Sequence, residues 1–89
     1  MLEKDIEKAF CLKVKQLGGL CEKFTSTAKA HVPDRLVTLP QGRIIFVELK
    51  RPNAKPRTAQ LLDHEKRRGL GCDVRVIDNL EQIERFPDA

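Results

Sequence analysis

The stretch Val32-Pro33-Asp34-Arg35-Leu36-Val37-Thr38-Leu39-Pro40-Gln41-Gly42-Arg43-Ile44-Ile45-Phe46-Val47-Glu48-Leu49-Lys50 decides how this chain folds. Two runs rich in β-branched and apolar residues, 35–39 and 43–47, flank Pro40-Gln41-Gly42, which predicts a hairpin with a short turn and Gln41 at its tip. Residues facing each other across that turn have numbers adding to 82, so Asp34 lies opposite Glu48. Directly opposed residues share a sheet face, with Cβ atoms roughly 4.5–5.5 Å apart. Lys50, two positions beyond Glu48, points to the same side. A slip of one residue would send the two carboxylates to opposite faces, so the reading rests on register.

Two carboxylates about 5 Å apart repel by roughly 3 kcal/mol at an effective dielectric near 20. A divalent cation is the natural compensation. Oxygen donors without a thiolate or imidazole cluster favour Mg²⁺ or Mn²⁺ over zinc. Such a cation activates water and neutralises charge building on a phosphate, while the Lys50 ammonium orients that water or stabilises the developing oxyanion. Phosphodiester hydrolysis uses all three groups. The plainer alternative is a hairpin whose Asp, Glu and Lys form solvated pairs.

These residues resemble a known family. Pro33-Asp34 followed by Glu48-Leu49-Lys50 is similar to the PD-(D/E)XK nuclease signature. The longer string from Val32 to Pro52, with Gln60 and the later Gly-x-x-Val-x-Val-Ile-Asp, resembles the virus-type replication-repair nuclease (VRR-Nuc) domain, and the likeness runs from Glu3 to about Leu80. Thr25-Ser-Thr-Ala-Lys-Ala-His31 stands where that family has a glycine-rich stretch. The resemblance implies an endonuclease dependent on Mg²⁺ or Mn²⁺ that acts on DNA. It further implies a small phage or bacterial type cutting branched DNA such as Holliday junctions as a homodimer. Asp34, Glu48 and the Leu49 carbonyl would hold the metal, and Lys50 would act on water or the transition state. Gln60 would position Lys50, water or phosphate. An acidic residue of the first helix, Glu7 with Glu3 in reserve, would reach the metal through water. A rival from another class is a non-catalytic DNA-binding module on the same fold.

Size and charge agree with this reading. A chain of 89 residues reads as one domain that buries only about 60–65% of its unfolded surface, so a partner subunit would help its stability. The formal net charge is +4. Arg51, Lys55 and Arg57 cluster beside the proposed site, as nucleic-acid-binding groups would. Lys66-Arg67-Arg68 makes a second cluster, equally suited to a helix C-terminus. The absence of Trp and Tyr leaves little for stacking bases, so duplex or junction backbone is the expected target. Cys11, Cys21 and Cys72 are widely spaced and complete no zinc motif with His31 or His64, which predicts free thiols in a reducing compartment. No segment has the length of a membrane span and the first residues open no signal peptide, so a cytoplasmic protein is expected.

Outward from the hairpin, Ile6, Phe10, Val14 and Leu17 set a helix over 3–17 ended by Gly18-Gly19. Leu20–Phe24 reads as a first strand. Arg43–Val47, apolar from Ile44 onward, reads as a central strand covered on both faces. Thr58 is expected to cap a helix to about Arg68 with Leu61, Leu62 and Glu65 setting its faces, Val74–Ile77 a fourth strand, and Asp78 to cap a short last helix. The order αβββαβα predicts an α/β fold: a mixed four-stranded sheet flanked by helices, in agreement with the PD-(D/E)XK, restriction-endonuclease-like core.

Overall fold

In the computed structural model, residues 1–88 are described. They form α1 (Glu3–Gln16), β1 (Leu20–Lys23), β2 (Arg35–Leu39), a single 3₁₀ turn (Pro40–Gly42), β3 (Arg43–Leu49), α2 (Thr58–Gly69), β4 (Val74–Ile77) and α3 (Leu80–Arg85). The sheet runs β1-β2-β3-β4, antiparallel except for the parallel β3–β4 pair. This is the expected mixed α/β sheet. The parallel pair requires a crossover, and α2 supplies it.

The hairpin register is the predicted one: Arg35 pairs with Val47, Val37 with Ile45 and Leu39 with Arg43. The turn is tight because Gln41 and Gly42 both adopt positive φ, at 70° and 76°. Glycine bears this without strain, and Gln41 is the exception that holds the tip. At Gly19 the constraint is close approach. A Cβ there would stand 2.6 Å from the Thr38 carbonyl oxygen and 2.9 Å from a Leu39 methyl, so the chain passes from α1 into β1 flush against β2.

Strand alternation separates two faces. Val37, Leu39, Ile45, Val47, Leu49 and Ile77 point to one and close a core with Ile6, Phe10 and Val14 of α1 and with Ile83 and Phe86. Phe10 and Phe86 meet edge-on, ring centres 4.9 Å apart, a geometry that adds attraction beyond burial. The last helix is capped by Asn79 rather than the expected Asp78: the Asn79 side chain accepts from the Gln82 N–H, while Asp78 accepts from the Asn53 N–H.

The other face departs from expectation. Ile44 is 44% exposed, because α2 is the one helix on this side among the described residues and covers only part of it. Nor do the leucines of α2 turn inward: Leu62 is 62% exposed, whereas Asp63 and His64 are buried. The stripe of α2 toward the sheet is Gln60, Asp63, His64 and Arg67, spaced i, i+3, i+4, i+7 like an apolar stripe yet polar throughout. Thr58 is not the cap either. Arg57 occupies that position, and its N–H is satisfied by the Gln60 side chain at 2.8 Å.

Cys11 and Cys21 are brought together by the α1–β1 connection, Sγ to Sγ 3.1 Å. Burial and the neighbouring thiol push Cys21 up to about 12, so it is a protonated thiol at neutral pH.

Candidate active site

The site forms where β2 begins and β3 ends. Asp34 precedes the first residue of β2 and is exposed, while Glu48, next to last in β3, is 1% exposed. The Asp34 carboxylate Oδ2 accepts the Leu49 N–H at 2.9 Å, extending the hairpin by one side-chain bond. Lys50 follows β3 directly, its Nζ 3.4 Å from Glu48 Oε2. The same oxygen accepts from Gln60 Nε2 at 3.0 Å. One glutamine thus fastens the start of α2 and the end of β3 at once, using its carbonyl for Arg57 and its amide for Glu48.

The two carboxylates differ in environment. Burial first, and then the charge of Asp34, raise Glu48 from 4.5 to about 7, against the opposing pull of Lys50. Its second oxygen, Oε1, is buried without a hydrogen-bond partner, as are both nitrogens of His64. Leaving such a group unpaired costs about 1–3 kcal/mol. His64 Nε2 faces Oε1 at 3.9 Å, beyond hydrogen-bond range. Burial, followed by the Arg68 charge, depresses the imidazole pKa. Burial works against the charge of Asp63, the neighbouring buried carboxylate, but Arg67 and Lys29 hold it below its usual range. Both cations lie 2.8 Å from its oxygens.

The Glu48 shift fixes a pH response of the metal-free protein. Ionising Glu48 costs more in the fold than in the unfolded chain, so its stabilising contribution is complete below 4.5 and is lost as pH rises through about 7. His64 works in the opposite sense, its contribution present above 6.5 and lost on acidification. Comparing the parent with Glu48→Gln in EDTA isolates the first effect. The variant is expected to be the more stable at pH 8, by up to about 3 kcal/mol, and to lose that advantage as pH falls toward 4.5. Chemical denaturation at four pH values reads it, and a gap that does not change with pH contradicts the assignment.

Glu7 does not turn toward Glu48. It pairs with the Arg35 guanidinium, which is itself buried and also reaches the Cys21 carbonyl. Glu3, Glu7 and Asp34 nevertheless line one shallow pocket of about 200 Å³, with Lys23, Phe24, Thr25 and Arg35. A second pocket, about 240 Å³ beside β4 and α3, lies away from these acids. Arg51, Lys55 and Arg57 are exposed on the loop between β3 and α2. In the Lys66-Arg67-Arg68 cluster, Arg67 pairs with Asp63 and lies about 5 Å from the centres of Phe24 and Phe46, and Arg68 donates to the Val74 carbonyl. Those two guanidiniums serve the fold. Sequence reasoning missed Arg35 and His64, and His64 was open to discovery as the i+4 partner of Gln60 on the helix face that reaches Glu48.

Among the described residues, no three His, Cys, Asp or Glu side chains converge as a ready-made metal cage. Mg²⁺ does not require one, since it keeps several waters and binds through one or two carboxylates. A buried carboxylate with a vacant oxygen, raised in pKa beside a second carboxylate, fits a hard cation. Its other oxygen is already held by an amide and an ammonium, so the group is oriented in advance.

This chain is similar to known proteins. A protein of Acyrthosiphon pisum secondary endosymbiont phage 1 named "Putative nuclease p44" is 47% identical over 85 residues, spanning 96% of this chain and 91% of that protein. A solved structure titled "VRR_NUC domain" superposes with a TM-score of 0.88 at 37% identity, covering 93% of this chain and 90% of its own. No family model matches the chain. No helix among the described residues is long and apolar enough to cross a membrane.

Proposed function

This chain belongs to the VRR_NUC family of nuclease domains, and we propose that it is an endonuclease hydrolysing DNA phosphodiester bonds with Mg²⁺ or Mn²⁺, on branched DNA such as a Holliday junction and as a homodimer. The observation that carries this reading is the buried Glu48, one oxygen vacant, beside the exposed Asp34. A protein that only bound DNA would gain nothing from a carboxylate so costly to ionise.

Asp34, Glu48 and the Leu49 carbonyl would hold the cation, with Glu7 contributing through water once released from Arg35. Bound there, the cation supplies Lewis-acid activation of water and neutralises charge on the phosphate. Lys50, its side chain 16% exposed, presents an ammonium to the attacking water or to the oxyanion that develops. Gln60 keeps Glu48 turned toward the site through the hydrogen bond its amide N–H donates. Arg51, Lys55 and Arg57 are exposed on the loop that leads from Lys50 to α2 and would contact successive phosphates. Loop cations of this kind hold backbone without reading bases, which suits recognition by shape.

Dimerisation is supported by exposed apolar side chains: Leu70 is 78%, Leu62 62% and Leu20 59% exposed. Such side chains are candidates for an interface, and paired incisions across a junction need two sites.

The test is a Mg²⁺ titration of cleavage on a labelled four-way junction and on a linear duplex of the same sequence, with molecular mass measured by sedimentation. Cleavage dependent on Mg²⁺, faster on the junction by tenfold or more, from a species of twice the chain mass, is the expected result. DNA binding that weakens with salt, with no cleavage at any Mg²⁺ concentration, would mark a DNA-binding module instead.

A further inference from the structure

The buried histidine of α2 has no place in the roles given above. His64 is fully buried, and neither ring nitrogen has a hydrogen-bond partner. Histidines packed only for shape are normally satisfied, because an unpaired buried polar group is destabilising. The nearest acidic atom that its Nε2 faces is Glu48 Oε1, 3.9 Å away and itself unpartnered. Two unsatisfied atoms therefore confront each other across a gap about 1 Å longer than a hydrogen bond. Glu48 Oε2 is fully used by Gln60 and Lys50, so any further donor to this carboxylate must reach Oε1.

We propose that His64 is a positioning residue for metal binding: as the Nε2–H tautomer it donates to Glu48 Oε1 when a divalent cation is bound beside that carboxylate, and so fixes the orientation in which Glu48 holds the ion. The inference rests on the cation reading above. An imidazole offers one N–H and a carboxylate oxygen takes more than one partner, so His64 and a cation can share Oε1, and a side-chain shift of about 1 Å closes the gap. Residues that orient a ligand in this way are worth about 10–100-fold in metal affinity.

The experiment measures Mn²⁺ affinity of the full chain by calorimetry and by the free-Mn²⁺ paramagnetic resonance signal, for the parent, His64→Phe and His64→Gln. His64→Phe is expected to bind Mn²⁺ 10–100-fold more weakly with a metal-free melting temperature no lower than the parent's, since it removes an unpaired polar ring. His64→Gln, which keeps an N–H, should stay within about threefold of the parent. A structural role would do the reverse, lowering the melting temperature and leaving affinity alone. A folded His64→Phe that binds as tightly as the parent overturns the inference while the cation reading stands; a parent that binds no Mn²⁺ overturns both. Should His64→Phe not fold, ¹⁵N-histidine spectra of the parent decide. The Nε2–H tautomer, with its Nε2 resonance moved by saturating Mg²⁺, supports the role, and an Nδ1–H tautomer or an unmoved Nε2 overturns it.

Discussion

Glu48→Ala is expected to slow Mg²⁺-dependent cleavage by about a thousandfold or more while leaving a folded protein that still binds DNA. The magnitude follows from what the substitution removes. A single preorganised electrostatic group is commonly worth 10²–10³-fold, and Glu48 is assigned both the cation and the contact that orders Lys50 and Gln60. The fold should survive because the lost side chain brings little net stability at neutral pH. Its burial and the Asp34 charge already work against its ionised form. Arg51, Lys55 and Arg57 lie outside the change, so affinity for DNA in EDTA should stay within a few-fold. Single-turnover cleavage, circular dichroism and a gel-shift titration check the three parts. A variant that cuts as fast as the parent would remove Glu48 from the chemistry.

The largest effect on stability is expected at Phe10. Its side chain is fully buried, stands edge-on to Phe86 and lies in the cluster that joins α1 to β2 and β3. Truncation to alanine removes both the buried area and the ring contact, and leaves a void the sheet cannot close. Phe→Ala changes in such sites cost about 3–5 kcal/mol, a large part of the 5–15 kcal/mol typical of whole domains. Phe10→Ala should therefore lower the melting temperature by roughly 15–30 °C or prevent folding at 37 °C. Lys8→Ala serves as the internal control. Lys8 is exposed on the outer side of α1, so this change should stay within about 0.5 kcal/mol. Equal losses at the two positions would contradict the assignment of faces.

How much of this was legible in the sequence differs between the two sides of the sheet. On the α1 side, apolar periodicity and strand alternation obey one rule, burial, so Ile6, Phe10, Val14 and the inward residues of β2 and β3 could be read directly. The hairpin register followed from a short turn whose length leaves one pairing. On the α2 side the rule changes. Gln60, Asp63, His64 and Arg67 occupy the inward stripe because this face carries charged chemistry, and Leu61 and Leu62, expected with Glu65 to set the faces of the helix, are turned to solvent. The same reason hides Arg35. At the first position of β2 it reads as a solvated end, yet it is buried because Glu7 across the α1 packing gives it a counter-charge. Asn79 displaced Asp78 as the last cap because Asp78 was needed by the loop at Asn53. In each case the missing information was a partner distant in sequence.

Crystals soaked in Mn²⁺ are expected to show, in their anomalous difference density, one strong peak between the Asp34 and Glu48 carboxylates. Density with no ion there, or with manganese seated only on other residues, would overturn the assignment of these two carboxylates to the cation.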